Sequence, residues 1–249
     1  MIRWEETSVA SSRTHHLAPG GAPLYPARFT EVLSFHAPGL AAARDDSGAF
    51  HIRLSGELAY ARRFTRTFGF YAGRAAVEES GRAFHILEDG TDLGRERYAW
   101  CGNFQEARCT VRTDDGEYFH LDREGRPAYQ ERYAYAGDFR EGVAVVQEQS
   151  GHHLHVLNNG RPLNGRRFLD LDVFHKGYAR ARDERGWHHV DMRGEPAYAR
   201  RFAAVEPFYN GQSRVELEGS ALEIVDERGT TLRRLRPPVA PARARIADG

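Results

Sequence analysis

A tandem register of 34 or 35 residues runs through this 249-residue chain and constrains its fold more than any other feature. Turn glycines recur as Gly21, Gly56, Gly90, Gly125, Gly160, Gly194 and Gly229. An arginine-aromatic pair keeps the same step: Arg28-Phe29, Arg63-Phe64, Arg97-Tyr98, Arg132-Tyr133, Arg167-Phe168 and Arg201-Phe202. So does a phenylalanine, as Phe35, Phe70, Phe104, Phe139, Phe174 and Phe208, four copies of which are followed three residues later by Gly73, Gly142, Gly177 or Gly211. Three landmarks in one register mean that the fold is a stack of equivalent units, each unable to bury its apolar face alone.

The unit reads as β structure. Segments such as EYFHLD, RPAYQERY, AYAGDF and GVAVVQE are short, rich in aromatic and β-branched residues, and separated by EDG, REG, NNG and YNG, sequences suited to the positive φ of hairpin turns. No helical periodicity persists for three turns, and the spacing predicts four short strands per period. The units fall near residues 14–46, 47–79, 80–113, 114–148, 149–183 and 184–217, with a last partial unit at 218–236. This last copy stops before its Phe-x-x-Gly pair, and residues 1–13 lie where the missing part of a repeat would sit. The complementarity points to a single all-β domain over residues 1–238, a closed seven-bladed β-propeller with one composite blade built from both termini; the alternative is an open β-solenoid. Residues 239–249, Pro- and Arg-rich with the residues before them, are expected to be a disordered tail.

The pattern resembles the WG repeat family, also called KWG repeats, whose unit runs Trp-Gly-Tyr-Ile-Asp, two residues, Gly, then later Phe, two residues and Gly. Trp187-His188-His189-Val190-Asp191 with Gly194, Phe208 and Gly211 carries the match, and the resemblance extends over roughly residues 14 to 236. It implies a β-repeat architecture; the association of some members with natural-product enzymes suggests a biosynthetic setting. The sequence departs from the family where His stands in place of its usual tyrosine or phenylalanine.

That departure is systematic. Five residues before each turn glycine stand His16, His51, His85, His120, His155 and His189, and the seventh copy has Glu223. The column holds while its neighbours drift, as AFHIRLSG, AFHILEDG, YFHLDREG and HLHVLNNG show. One reading makes the imidazole a half-buried hydrogen-bonding group copied by duplication. The other makes the six histidines ligands of a nitrogen-rich metal centre on a propeller axis, with Glu223 as general base or as an anionic partner to a ligand. Iron(II) leads for such a site, with cobalt, manganese, nickel, copper or zinc as alternatives. The parallel with carotenoid-cleaving oxygenases, in which a seven-bladed propeller holds iron with four histidines, suggests non-haem oxygenase or oxidase chemistry on a small heteroaromatic metabolite. The rivals are a non-catalytic protein-binding propeller and a scaffold with a structural metal.

Composition removes other classes. The chain balances 35 basic against 35 acidic residues, and the basic ones are 34 Arg and the single Lys176. Zero net charge without a basic run argues against nucleic acid or an anionic membrane as partner, and leaves a small-molecule substrate or a protein. Lys176 precedes Gly177, so there is no P-loop. Neither a stretch of about 18 apolar residues nor a signal-peptide pattern occurs. Cys101 and Cys109 make neither a disulfide framework nor a four-thiolate site, and a cytoplasmic location is the expectation.

Overall fold

The computed structural model describes residues 2–237; the expected tail at 239–249 lies outside the described residues. The chain is nearly all β and divides into two compact units. One gathers the described residues up to Gly142 together with Asn158–Gly160, and the other gathers Val143–Leu157 and the described residues from Arg161 onward.

In the first unit, three antiparallel sheets follow one another: Glu31–His36, Leu40–Asp45 and Gly48–Ile52; then Arg66–Tyr71, Arg74–Glu79 and Arg82–Ile86; then Trp100–Cys101, Cys109–Arg112 and Tyr118–Leu121. A two-residue pair, Ser8–Val9 with His16–Leu17, precedes them, and Trp4 and Val9 pack on the core of the first sheet. The second unit holds the hairpin of Val143–Gln147 with His153–Leu157 and the sheet of Asp170–Leu171, Ala179–Asp183 and Gly186–Val190. Its last sheet has four strands, Ala204–Val205, Gln212–Glu216, Leu222–Asp226 and Thr231–Arg236.

The landmarks have separate jobs. All seven turn glycines lie at φ between +74° and +88°, a backbone state that a side chain resists. Most of them also leave room for a neighbour: a Cβ on Gly160 would stand 2.5 Å from the Tyr129 ring, and one on Gly56 would stand 2.6 Å from Tyr25. The Phe-x-x-Gly pairs close hairpins in which two consecutive residues have positive φ, as in Glu141-Gly142 and Asn210-Gly211, and in the third repeat Ala107 takes the glycine's place at +65°.

The fourth expected strand is where the structure differs in every repeat but the last, whose Thr231–Arg236 does pair with Leu222–Asp226. After Leu121 the chain forms no continuous ladder with its neighbour strand, meeting it at two isolated bridges, Leu121 with Pro127 and Tyr118 with Tyr133, and at the hydrogen bond from Ala128 N–H to the His120 carbonyl. Between them the column arginine gathers the carbonyls: Arg132 Nη1 donates to the oxygens of Tyr129, Gln130 and Glu131. Three successive carbonyls turned toward one guanidinium cannot alternate as a strand requires. Arg28, Arg97 and Arg201 gather carbonyls in the same way, and Arg63, Arg97 and Arg132 also lie over the core rings of Phe50, Phe84 and Phe119 at 4.2, 3.7 and 3.8 Å.

Candidate functional site

Each column histidine lies within a strand, and both faces of that strand are covered: Phe50, His51 and Ile52 are all fully buried. A strand with one wet face would alternate, so the imidazole must find its hydrogen-bond partners inside the protein. It does so at both ends of the ring. Nε2 meets the backbone carbonyl seventeen residues on: Leu33 from His16 at 2.9 Å, Phe68 from His51 at 2.7 Å, Gly102 from His85 at 2.9 Å, Gly137 from His120 at 2.8 Å, Asp172 from His155 at 2.8 Å and Glu206 from His189 at 2.8 Å. A carbonyl only accepts, so Nε2 carries the proton and Nδ1 holds the free lone pair. In four copies that lone pair takes a tyrosine hydroxyl nine residues on, from Tyr25 to His16 at 2.5 Å, Tyr198 to His189 at 2.6 Å, and likewise Tyr60 to His51 and Tyr129 to His120.

The landmark phenylalanine completes the cluster. Phe35, Phe70, Phe104, Phe139, Phe174 and Phe208 lie against the six rings with centroids 4.2, 4.6, 4.9, 4.6, 4.2 and 4.0 Å away. Burial holds His51, His85, His120, His155 and His189 neutral by pushing their pKa down to about 4, and lowers that of His16. It raises the Tyr25 hydroxyl to about 12 and those of Tyr60, Tyr129 and Tyr198 upward too.

Glu223 solves the same burial problem with charge. The hydroxyl of Thr231 at 2.7 Å, Arg200 Nη2 at 2.9 Å and Arg234 Nε at 3.2 Å all donate to its carboxylate. The Thr231 hydrogen bond, then Arg200, lowers its pKa below the ordinary glutamate value. An ionised carboxylate with three donors is a weak base.

A different face of the first unit is open. Trp100, Tyr118 and Tyr135 border a cleft of about 340 Å³ together with Arg112 and Asp138. Trp100 and Tyr135 hold equivalent places in successive repeats and are 43% and 47% exposed. Their counterparts elsewhere are Glu31, Arg66, Asp170 and Ala204, so the aromatic pair breaks the repeat. The Tyr118 and Tyr135 rings are 5.6 Å apart, and the Arg112 guanidinium stands 6.0 Å from the Tyr118 centroid. Arg112 has no carboxylate partner among the described residues and faces the Tyr118 ring, whereas both oxygens of Asp138 accept hydrogen bonds, from Thr110 Oγ1 at 3.0 Å and Gln105 Nε2 at 3.1 Å. The column holds this floor in place, because the carbonyl taken by His120 belongs to Gly137, between Tyr135 and Asp138.

The model of the WG-containing repeat matches residues 121–150, the stretch that carries Gly125, Tyr129, Arg132, Tyr135 and Phe139. Residues 121–150 are a WG repeat. No curated protein matches the chain. Among solved structures, a eukaryotic initiation factor is similar in fold, with 11% identity, a TM-score of 0.53, and 93% of this chain and 73% of that one covered. BamB from Moraxella catarrhalis has 12% identity and a TM-score of 0.46 over 86% of this chain and 77% of its own, and the WD40 beta propeller domain of Doa1 has 14% and 0.35 over 85% and 86%. The chain, with its WG repeat at 121–150, has a β-repeat fold of successive small antiparallel sheets, similar to that of the initiation factor.

Within that fold the residues expected to hold a metal do not fit one. Every column histidine spends its Nε2 proton on a carbonyl of the following segment, and in four of them a tyrosine occupies the lone pair that a metal would need. Among the described residues no three His, Cys, Asp or Glu side chains gather closely enough to share an ion. Cys101 and Cys109 are buried, and burial pushes both thiols well above their ordinary pKa, so they are poor nucleophiles. The tyrosine at nine residues past the histidine escaped the sequence reading. The spacing His16 to Tyr25, His51 to Tyr60, His120 to Tyr129 and His189 to Tyr198 was the signal, interrupted by Gly94 and Asn164.

Proposed function

We propose that this chain is a non-catalytic binding scaffold of the WG-repeat kind, which docks a protein partner through the aromatic cleft at Trp100, Tyr118 and Tyr135. One contrast carries the reading: the repeated polar groups are buried and hydrogen-bonded, while the aromatic groups that break the repeat are exposed. Tryptophan, tyrosine and arginine are the residues most enriched at interface hot spots, and all three line this cleft. The closed seven-bladed ring belongs to the same proposal, since it would give the cleft the rigid support that a docking surface needs.

The test is a selection of random displayed peptides on the immobilised protein. Sequences should converge, and should bind wild type at least tenfold better than Trp100→Ala. A selection whose products bind both proteins equally would overturn the reading.

A further inference from the structure

The geometry points to a ligand for the cleft: we infer that it takes an acidic side chain of a partner polypeptide, presented next to an aromatic or large aliphatic residue. This rests on the binding-scaffold reading and adds the chemistry of the occupant.

The inference starts from the imbalance between the two charges in the cleft. Asp138 is already served, one oxygen by the Thr110 hydroxyl and the other by the Gln105 amide. Arg112 is not; its guanidinium has no carboxylate among the described residues, and its neighbour is the face of Tyr118 at 6.0 Å. Other arginines of this chain are satisfied, some by acids, as Arg62 is by Glu79 and Asp92 and Arg167 by Glu148, and some by backbone carbonyls, as Arg132 is by those of Tyr129, Gln130 and Glu131. An unpaired guanidinium beside apolar ring surface is a site for a carboxylate, bound by two parallel N–H bonds.

Three aromatic rings around one acid could also suggest a cage for a cationic side chain. The position of Arg112 decides against it. The guanidinium already lies over the Tyr118 ring that an incoming cation would use, and it would repel that cation across the same cleft. The remaining lone pairs of Asp138 suit the N–H groups of an extended peptide.

The walls favour a polypeptide over a small acid. Small-ligand sites enclose most of their ligand, whereas Trp100 and Tyr135 leave almost half their surface in water. A space of about 340 Å³ takes one or two side chains of a segment that crosses the surface. Gly102 leaves room for the indole, because a Cβ there would stand 3.0 Å from Trp100 Cη2.

The experiment uses the full chain and three blocked peptides, acetyl-Gly-Glu-Phe-Gly-amide and its counterparts with Gln or Lys in place of Glu, followed by calorimetry and by the nuclear magnetic resonance shift of the Trp100 indole N–H. The Glu peptide should bind at least tenfold more tightly than the other two and should shift that indole signal. Arg112→Gln should erase the preference while Arg182→Gln, at the equivalent register beside Trp187, should keep it. Equal or tighter binding of the Gln or Lys peptide would overturn the acidic ligand and leave the docking surface standing. Phenylacetate shifting the indole when no peptide does would overturn the docking surface as well. Silence from every probe would refute the acidic ligand, while the selection of displayed peptides would still judge the docking surface separately.

Discussion

Acidification to pH 5 should cost this protein most of its stability through its buried histidines. Five column histidines, His51, His85, His120, His155 and His189, have pKa values pushed down to about 4 in the folded chain, from 6.5 when exposed. Between these values the unfolded chain binds more protons than the folded one, so stability rises with pH across the window. It is complete above pH 6.5 and falls as the pH drops toward 4. At pH 5 each histidine loses about 2 kcal/mol relative to pH 7.5. Three of them lie in the first compact unit and two in the second, so the losses are about 6 and about 4 kcal/mol, against a total of about 5 to 15 for an ordinary domain. The lowered carboxylates Asp92, Asp183, Glu148 and Glu223 contribute at lower pH, because their reference values are 3.8 and 4.5. Urea unfolding followed by near-ultraviolet circular dichroism at half-unit steps from pH 7.5 to 5 measures the slope. His155→Gln lowers stability at pH 7.5 but should flatten that slope by about 2 kcal/mol over the range. Equal stability at pH 7.5 and pH 5 would refute the account of the column as buried neutral imidazoles.

Four other outcomes follow from the same geometry. Tyr129→Phe leaves the His120 lone pair without its hydroxyl and should cost about 1 to 3 kcal/mol in urea unfolding, whereas Tyr209→Phe, on an exposed ring, should cost nothing measurable. Gly160→Ala meets both a φ of +81° and the Tyr129 ring at 2.5 Å, and should destabilise by more than about 2 kcal/mol; Ala107→Gly, relieving a left-handed alanine, should stabilise by about 1 kcal/mol. Prolonged dialysis against a chelator should leave the melting temperature unchanged, and a fall of several degrees would restore a metal to the column. Removing residues 2–12 takes away Trp4, Val9 and the strand paired with His16, and cooperative loss of the fold is expected, read as a lowered and broadened melting transition.

The repeat, its β character and the register of its landmarks were legible because each depends on local chemistry that recurs. A turn at positive φ favours glycine in each copy, and an arginine that gathers three carbonyls has no ready substitute, so both recur. The fourth strand was misread because RPAYQERY has strand composition, and only the three-dimensional convergence of carbonyls on Arg132 shows why it leaves the ladder. The histidines were found by position, but their partners were not. The carbonyls they hold are backbone and leave no trace in side-chain identity: the six residues are Leu33, Phe68, Gly102, Gly137, Asp172 and Glu206. Their covered second face was equally hidden, since alternation within one strand cannot reveal what packs above it.

Persistence through drifting repeats invites a functional reading, and here it has another cause. A residue kept in every unit does something every unit needs, and what each of these sheets needs is a polar link from its buried strand to the next segment. Imidazole meets that need better than phenylalanine, because it can donate at one edge and accept at the other while its face packs on Phe139 or its equivalents. A recognition site has the opposite signature. A site that one segment of a partner occupies occurs once, so its residues must differ from their counterparts in other copies, as Trp100 and Tyr135 differ from Glu31, Arg66, Asp170 and Ala204. In a repeat protein the column therefore reports the scaffold, and the broken register points to the docking site proposed above; here the two meet at Gly137, whose carbonyl His120 holds and whose neighbours line the cleft.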